Sequence, residues 1–241
     1  MKSQGPKIIA HRGASACAPE NSLEAFERAR QDGADGVELD VRLCGSGELV
    51  VFHDEDLRRL GKRAQRLDEL SFEELRNVQL ASGVRIPTLR EVFEVCGPDM
   101  LVNVEIKTDH LWRPGFSRLI EAVAQGLRDV PEPARVLVSS FNPLALVASR
   151  RRMPALMHGL LFEKGGPMWA RGAPLVPWLS VQAVHPQNEL CTAHEVARWK
   201  GAGYAVNVWT VDDPRRIHEL AALGVDGIIT NDPLRARQTL G

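Results

Sequence analysis

Gly36-Val37-Glu38-Leu39-Asp40-Val41-Arg42-Leu43 reads as a strand with two dissimilar faces. Successive side chains along a β-strand point to opposite sides. Val37, Leu39, Val41 and Leu43 therefore share one side, and Glu38, Asp40 and Arg42 the other. Leu101–Lys107 repeats the arrangement, with Asn103, Glu105 and Lys107 on one face and a wholly apolar row on the other. Tyr204–Thr210 puts Asn207 and Trp209 on one face.

Further β-rich runs lie at Lys7–His11, Leu49–His53, Arg135–Ser140, Ala155–Phe162, Leu179–His185 and Asp226–Thr230. Helical stretches separate them, at Ser22–Asp32, Ser71–Asn77, Leu89–Cys96, Phe116–Arg128, Pro143–Arg151, Ala193–Gly201, Pro214–Leu223 and Pro233–Leu240. This alternation predicts parallel β/α units, and 241 residues match one barrel of about 250. The expectation is a distorted (β/α)8 TIM barrel, one domain over residues 1–241. Nine strands exceed eight units by one. Cys44-Gly45-Ser46-Gly47-Glu48 is too short for a parallel crossover, which takes roughly a dozen residues, and its two glycines suit a tight turn. Gly36–Leu43 and Leu49–His53 are thus expected to pair as a hairpin, with residues 55–85 inserted before the pattern resumes at Pro87. Within that insertion the run Arg58-Arg59-Leu60-Gly61-Lys62-Arg63 reads as a solvated face.

Helices cover the outer strand face of such a barrel, so the apolar rows belong outside. The polar rows then face the interior, where side chains ordinarily pack in apolar layers. Buried carboxylates without compensation are costly. Two arrangements relieve Glu38, Asp40 and Glu105. One is ion pairing with Arg42 and Lys107, as structural networks do. The other is one bound divalent cation, and an all-oxygen site selects Mg²⁺ or Ca²⁺, with Mn²⁺ also compatible, over Zn²⁺. His11 and His53 stand at strand ends, and strand C-termini form the active-site face of this fold. Two imidazoles beside carboxylates, an arginine and a lysine point to acid–base chemistry. His110, His158, His194 and His218 read as loop or helix-surface residues. His185, ahead of Pro186, reads equally as pocket lining or as a cap.

Hydrophobic residues make up 44% and charged residues 25%, an ordinary globular composition. A formal net charge of −1 provides no global attraction to nucleic acid or to an anionic membrane, so any phosphate affinity is local. None of Cys17, Cys44, Cys96 and Cys191 forms a C-x-x-C pair, which suits a reduced cytosolic chain. There is no signal-like segment and no apolar run near 18 residues. A cytoplasmic protein without a membrane anchor is expected.

The ordered set of motifs is more specific than any of these features. His11-Arg12-Gly13, Ala18-Pro19-Glu20-Asn21-Ser22, Val37-Glu38-Leu39-Asp40-Val41 and Val51-Phe52-His53-Asp54 are followed by Ile86-Pro87-Thr88-Leu89, Val104-Glu105-Ile106-Lys107, Val138-Ser139-Ser140-Phe141, Val208-Trp209-Thr210-Val211 and Gly224–Asn231. Over residues 8–233 this series resembles the glycerophosphodiester phosphodiesterase family. The resemblance implies hydrolysis of a small glycerophosphodiester to glycerol 3-phosphate and an alcohol. It implies that His11 and His53 are the acid–base pair and that Glu38, Asp40 and Glu105 hold the cation. Arg12 would contact the phosphate with Lys107 close by, and Trp209 would wall the pocket. It also implies attack by the substrate's own 2-hydroxyl, giving a cyclic phosphate that water opens.

After His53-Asp54 the family's Arg-Thr-Thr-like run is replaced by Glu55-Asp56-Leu57-Arg58-Arg59-Leu60-Gly61-Lys62, so the pocket roof and the preferred alcohol are unassigned. Gly165–Trp178, with Met168, Trp169 and Trp178, and the separate Trp112 read as loop packing, or else as contacts to a lipid-like substrate. Rival readings are a lysophospholipase D or a phosphatidylinositol phospholipase C-like enzyme on the same frame, a non-catalytic glycerophosphate binder, and an unrelated barrel enzyme whose carboxylates only form ion pairs. Retention of both histidines and all three carboxylates disfavours the binder.

Overall fold

The computed structural model describes residues 5–80, 83–108, 115–128, 130, 132, 135–166 and 176–241. The strands are β1 (Lys7–His11), β2 (Gly36–Leu43), β3 (Leu49–Val51), β4 (Leu101–Ile106), β5 (Val136–Ser140), β6 (Met157–Phe162), β7 (Ala183–Pro186), β8 (Ala205–Val208) and β9 (Gly227–Thr230). The helices are α1 (Leu23–Gln31), α2 (Arg58–Gly61), α3 (Phe72–Arg76), α4 (Leu89–Cys96), α5 (Phe116–Gly126), α6 (Pro143–Arg152), α7 (Val176–Leu179), α8 (Ala193–Gly201), α9 (Pro214–Ala222) and α10 (Pro233–Leu240).

Helix starts follow local chemistry written in the sequence. The Ser22 hydroxyl accepts the Ala25 N–H at the start of α1, and Thr88 and Glu91 form a reciprocal capping box on α4. Asn142, Asp213 and Asp232 cap α6, α9 and α10, each directly ahead of a proline. Proline lacks only an N–H that the first turn would leave unpaired anyway.

Eight strands are parallel and close on themselves in the order β1, β2, β4, β5, β6, β7, β8, β9, with β9 returning to β1 through Lys7↔Gly227 and Ile9↔Ile229. The ninth, β3, is antiparallel to the upper end of β2 and is the second arm of the expected hairpin. The barrel is therefore a (β/α)8 TIM barrel with one extra strand.

The alternation argument holds residue by residue. Val37, Leu39 and Val41 of β2 and Val102, Val104 and Ile106 of β4 pack with Phe26 of α1, Val92 of α4 and Ile120 and Val123 of α5. Leu160, Val184, Val206 and Ile228 join Trp199 and Leu220 in a second cluster beneath the later helices. Each such aliphatic side chain contributes about 1.5–3 kcal/mol on full burial. Residues of opposite parity, Glu38, Asp40, Asn103, Glu105, Ser139, His185 and Asn207, are buried within the barrel. Residues 55–80 carry α2, a 3₁₀ turn at Leu67–Glu69 and α3, which cover Val50, Phe52 and Ile86 with Leu57, Leu67 and Leu75.

Three expectations are corrected. The run Leu179–His185 is not one strand: Val176–Leu179 is helical and β7 begins at Ala183, because a short apolar run suits either state. His158 is not a surface residue. It lies on β6, fully buried, with Ser149 of α6 donating to Nε2 at 2.9 Å. Trp178 is 82% exposed at the barrel end where α6 finishes, since Arg150 of α6 donates to the adjoining Ser180 carbonyl. That end lies opposite the strand C-termini, so Trp178 is remote from Glu105 and His11. His110, Trp112, Met168 and Trp169 lie outside the described residues.

Candidate active site

Backbone geometry places the first functional group. Immediately after β1, Arg12 adopts a left-handed φ of 55° and Gly13 one of 80°. A Cβ on Gly13 would stand 2.6 Å from the Ala25 carbonyl carbon, so only glycine lets the turn press against α1. The turn aims the Arg12 N–H at Glu38 Oε2, 3.1 Å away, and its guanidinium at Asp40, with Nε–Oδ2 at 3.2 Å.

Pairing of Asp40 with Glu105 across β2 and β4, and of His11 with Glu38 across β1 and β2, gathers the carboxylates. One ligand oxygen from each of Glu38, Asp40 and Glu105 lies within 4.8 Å of the others. All three residues are buried. Lys107 Nζ donates to Glu105 Oε1 at 2.8 Å and stands 3.6 Å from Asp40 Oδ1. Asn21 Nδ2 donates to Asp40 Oδ2 at 2.8 Å. Glu38 Oε1 and Asp40 Oδ1 have no hydrogen-bond partner among the described residues. Three carboxylates thus face two cations, Arg12 and Lys107. Burial, and then the charges of Asp40 and Glu105, push the Glu38 carboxyl well above the usual range. Burial also raises Glu105. Burial acts the same way on Asp40, but Lys107 and Arg12 outweigh it and hold that carboxyl below its ordinary value.

Among the described residues, no ion pair joins Arg42 to these carboxylates. Its Nε donates to the His53 carbonyl at 2.7 Å. The salt-bridge network expected as one alternative is therefore incomplete, while two orphan carboxylate oxygens of a hard-oxygen set fit a divalent cation.

The histidines arrive by different routes. His11 ends a barrel strand. His53 follows β3, which runs against the barrel direction, and the Phe52 N–H donates to the Asp40 carbonyl at 2.9 Å, so the hairpin folds His53 back beside Asp40. His11 Nδ1 donates to Asn231 Oδ1 at 2.8 Å, and Asp212 fixes that amide by accepting Asn231 Nδ2 at 2.6 Å. His53 Nδ1 donates to Asp54 Oδ1 at 2.7 Å. Both partners leave Nε2 for a substrate. Burial, reinforced by Arg12, lowers His11, and burial lowers His53 against the opposing pull of Asp40.

Trp209 Nε1 donates to the His185 carbonyl at 2.7 Å, and its ring meets Phe141 edge to face at 5.5 Å. Lys107 Nζ lies 5.8 Å from the Phe141 centroid, so Trp209, Phe141 and Lys107 form one continuous wall. His185 neither lines the pocket nor caps a strand. It is fully buried beside Asn207, with Nε2 and Nδ2 3.1 Å apart. Reading residues by type singled out neither Asp54, Asn231 nor Asp212; a polar residue next to or following a strand end was the available signal. Ser140 donates to the Ile106 carbonyl at 2.8 Å, and Ser139 Oγ has no hydrogen-bond partner, so among the described residues neither serine is hydrogen-bonded to a base.

The model of the glycerophosphoryl diester phosphodiesterase family matches residues 11–235. A glycerophosphodiester phosphodiesterase of Caldanaerobacter subterraneus subsp. tengcongensis is 36% identical over 94% of both chains. One from Bacillus altitudinis is 32% identical over 95% of this chain and 96% of its own. An Oleispira antarctica phosphodiesterase, solved with the product sn-glycerol-3-phosphate, superposes with a TM-score of 0.88 at 28% identity, covering 98% of this chain and 97% of that one. The Thermotoga maritima glycerophosphodiester phosphodiesterase gives 0.81 at 28%, covering 98% of both. No helix of the described residues is long and apolar enough to cross a membrane. With relatives and solved structures matching along the whole barrel, the chain belongs to the glycerophosphoryl diester phosphodiesterase family and is a phosphoric diester hydrolase acting on glycerophosphodiesters.

Proposed function

We propose that the chain hydrolyses soluble glycerophosphodiesters to glycerol 3-phosphate and an alcohol, with His11 and His53 as the acid–base pair and one divalent cation, Mg²⁺, Ca²⁺ or Mn²⁺, held by Glu38, Asp40 and Glu105. The observation that carries this reading is the pair of orphan oxygens, Glu38 Oε1 and Asp40 Oδ1, in a buried three-carboxylate cluster beside the two imidazoles. The cation supplies positive charge against the negative charge that develops on a phosphoryl group in transfer. Arg12 and Lys107, already oriented by Glu38, Asp40 and Glu105, bind the phosphate oxygens. Trp209 and Phe141 bound the glycerol side of the pocket.

The nucleophile is the substrate's own 2-hydroxyl, tethered one carbon from the ester oxygen, which removes most of the entropy of bringing a nucleophile to phosphorus. One imidazole Nε2 accepts its proton, and the other histidine, charged in the complex, donates to the leaving alcohol. Water then opens the cyclic phosphate with the roles reversed. Atoms balance: one P–O bond forms as one breaks, then water replaces the ring oxygen.

Release of glycerol 3-phosphate from glycerophosphocholine, glycerophosphoethanolamine and glycerophosphoglycerol tests the reading, with and without chelator. Activity that vanishes in chelator and returns with Mg²⁺ or Ca²⁺ supports it. Full turnover in excess chelator refutes the cation.

A further inference from the structure

The charged run of residues 58–63 is not a uniformly solvated face. Its two arginines differ sharply. Arg58 has a side chain 73% exposed, with Nε 3.4 Å from Asp56, its neighbour two residues back. Arg59, although 46% exposed, has its guanidinium engaged in three directions. Its Nε donates to Asp54 Oδ2 at 2.7 Å, and its two terminal nitrogens donate to Glu20 Oε2 and Oε1, each at 2.7 Å.

Both acceptors hold a second residue of the site. The other oxygen of Asp54 accepts His53 Nδ1 at 2.7 Å. Glu20 Oε1 also accepts from Arg12, at 2.8 Å. A continuous chain therefore runs His53, Asp54, Arg59, Glu20, Arg12. It joins the loop after β1 to the loop after β3, and its middle member comes from α2, an element outside the barrel alternation.

We propose that Arg59 is a positioning residue: its planar fork fixes Asp54 and Glu20 at once, so that the imidazole of His53 and the guanidinium of Arg12 are held at one relative geometry. This rests on the roles assigned above to His53 and Arg12. A planar, five-donor guanidinium can bridge two carboxylates in this manner, and a lysine ammonium cannot reproduce the fork. Without Arg59, Asp54 and Glu20 become free to rotate towards solvent, and each holds its own residue in a less defined orientation. Glu20 would stay attached to Arg12 alone, as an ordinary partly exposed pair of little energetic worth. The effect on catalysis exceeds the effect on folding, because displacing a reacting group by about 1 Å is enough to lower a rate about 10²-fold.

The test is steady-state hydrolysis of a glycerophosphodiester in the metal-loaded protein, with each variant assayed below its own unfolding midpoint. Arg59→Ala is expected to lose about 10²-fold in kcat/KM, shared between kcat and KM. Asp54→Asn should act mainly on kcat, through His53, and Glu20→Gln mainly on KM, through Arg12. Combining Arg59→Ala with either should cost less than the sum of the separate losses. Arg59→Lys should fall with Arg59→Ala rather than with wild type, and it carries the test if Arg59→Ala does not fold. Arg58→Ala should leave turnover unchanged. In the metal-free protein, the far-downfield proton resonance of His53 Nδ1 should shift in Arg59→Ala, which a purely structural loss elsewhere would not cause. Arg59→Ala or Arg59→Lys with wild-type kcat and KM, while His53→Ala is inactive, overturns the bridge. A fully active His53→Ala instead removes the acid–base reading beneath it.

Discussion

Binding of a divalent cation and neutralisation of Glu38 should move stability in ways that separate a metal site from a salt-bridge network. In the metal-free protein, three buried carboxylates share Arg12 and Lys107, and Glu38 is the member whose charged form is least favoured. Glu38→Gln removes the excess charge and keeps an oxygen that can accept the Arg12 N–H. In chelator its unfolding midpoint should therefore equal or exceed that of wild type. A carboxyl whose native pKa is raised binds a proton more readily when folded than when unfolded, so its contribution is most favourable in acid and declines as pH rises towards that raised value. The gap between variant and wild type should open with increasing pH and close in acid. Adding Mg²⁺ or Ca²⁺ at 100 times the dissociation constant should stabilise wild type by about 2.7 kcal/mol. At roughly 2–4 °C per kcal/mol for a chain of this size, that is about 5–10 °C. The variant should lose most of this shift. Scanning fluorimetry of both proteins, in chelator and in metal, measures all four midpoints. A metal shift preserved in Glu38→Gln, or a metal-free variant several degrees below wild type, refutes the reasoning and restores Glu38 to a structural ion pair.

The other predictions concern chemistry and acid stability. His11→Ala and His53→Ala should each reduce turnover by about 10²–10⁴-fold or more, and the double variant should fall far short of the product of the two losses; near-wild-type turnover in either single variant marks that histidine as structural. A diester lacking the 2-hydroxyl should bind but turn over orders of magnitude more slowly, and comparable hydrolysis would show direct attack by water. His158 provides a pH effect independent of the site. Burial lowers it from 6.5 to about 4, which at about 1.4 kcal/mol per pH unit amounts to about 3 kcal/mol of stability. This stability is complete above pH 6.5 and lost as pH falls through 4. The midpoint of wild type should drop over that interval more steeply than that of His158→Leu, and equal slopes would count against it.

Much of this was legible in the alternation of a few strands. Glu38, Asp40 and Glu105 betrayed their inward orientation because the residues between them are apolar and period two admits only one assignment. The hairpin was legible because a five-residue link excludes a parallel crossover. What sequence concealed is contact between distant segments. Arg59 looks like part of a solvated charge run until Asp54 and Glu20 are seen on either side of it. His158 carries no local sign that Ser149 stands opposite its ring. His53 was assigned to the active face by the rule for parallel strands, yet it arrives on an antiparallel arm, so a different geometric route brings it beside Asp40.

The seam between β1 and β9 has a temporal consequence. The amide that orients the His11 ring belongs to Asn231, which is synthesised 220 positions later. Asp212, which fixes that amide, is also late. Carboxylates from β2 and β4 can assemble early, since these strands are close in sequence and adjacent in the sheet. During synthesis the strands that carry the three carboxylates are therefore complete well before Asn231, the partner of the His11 ring, has been added. Long-range closure of this kind is also the slow part of folding.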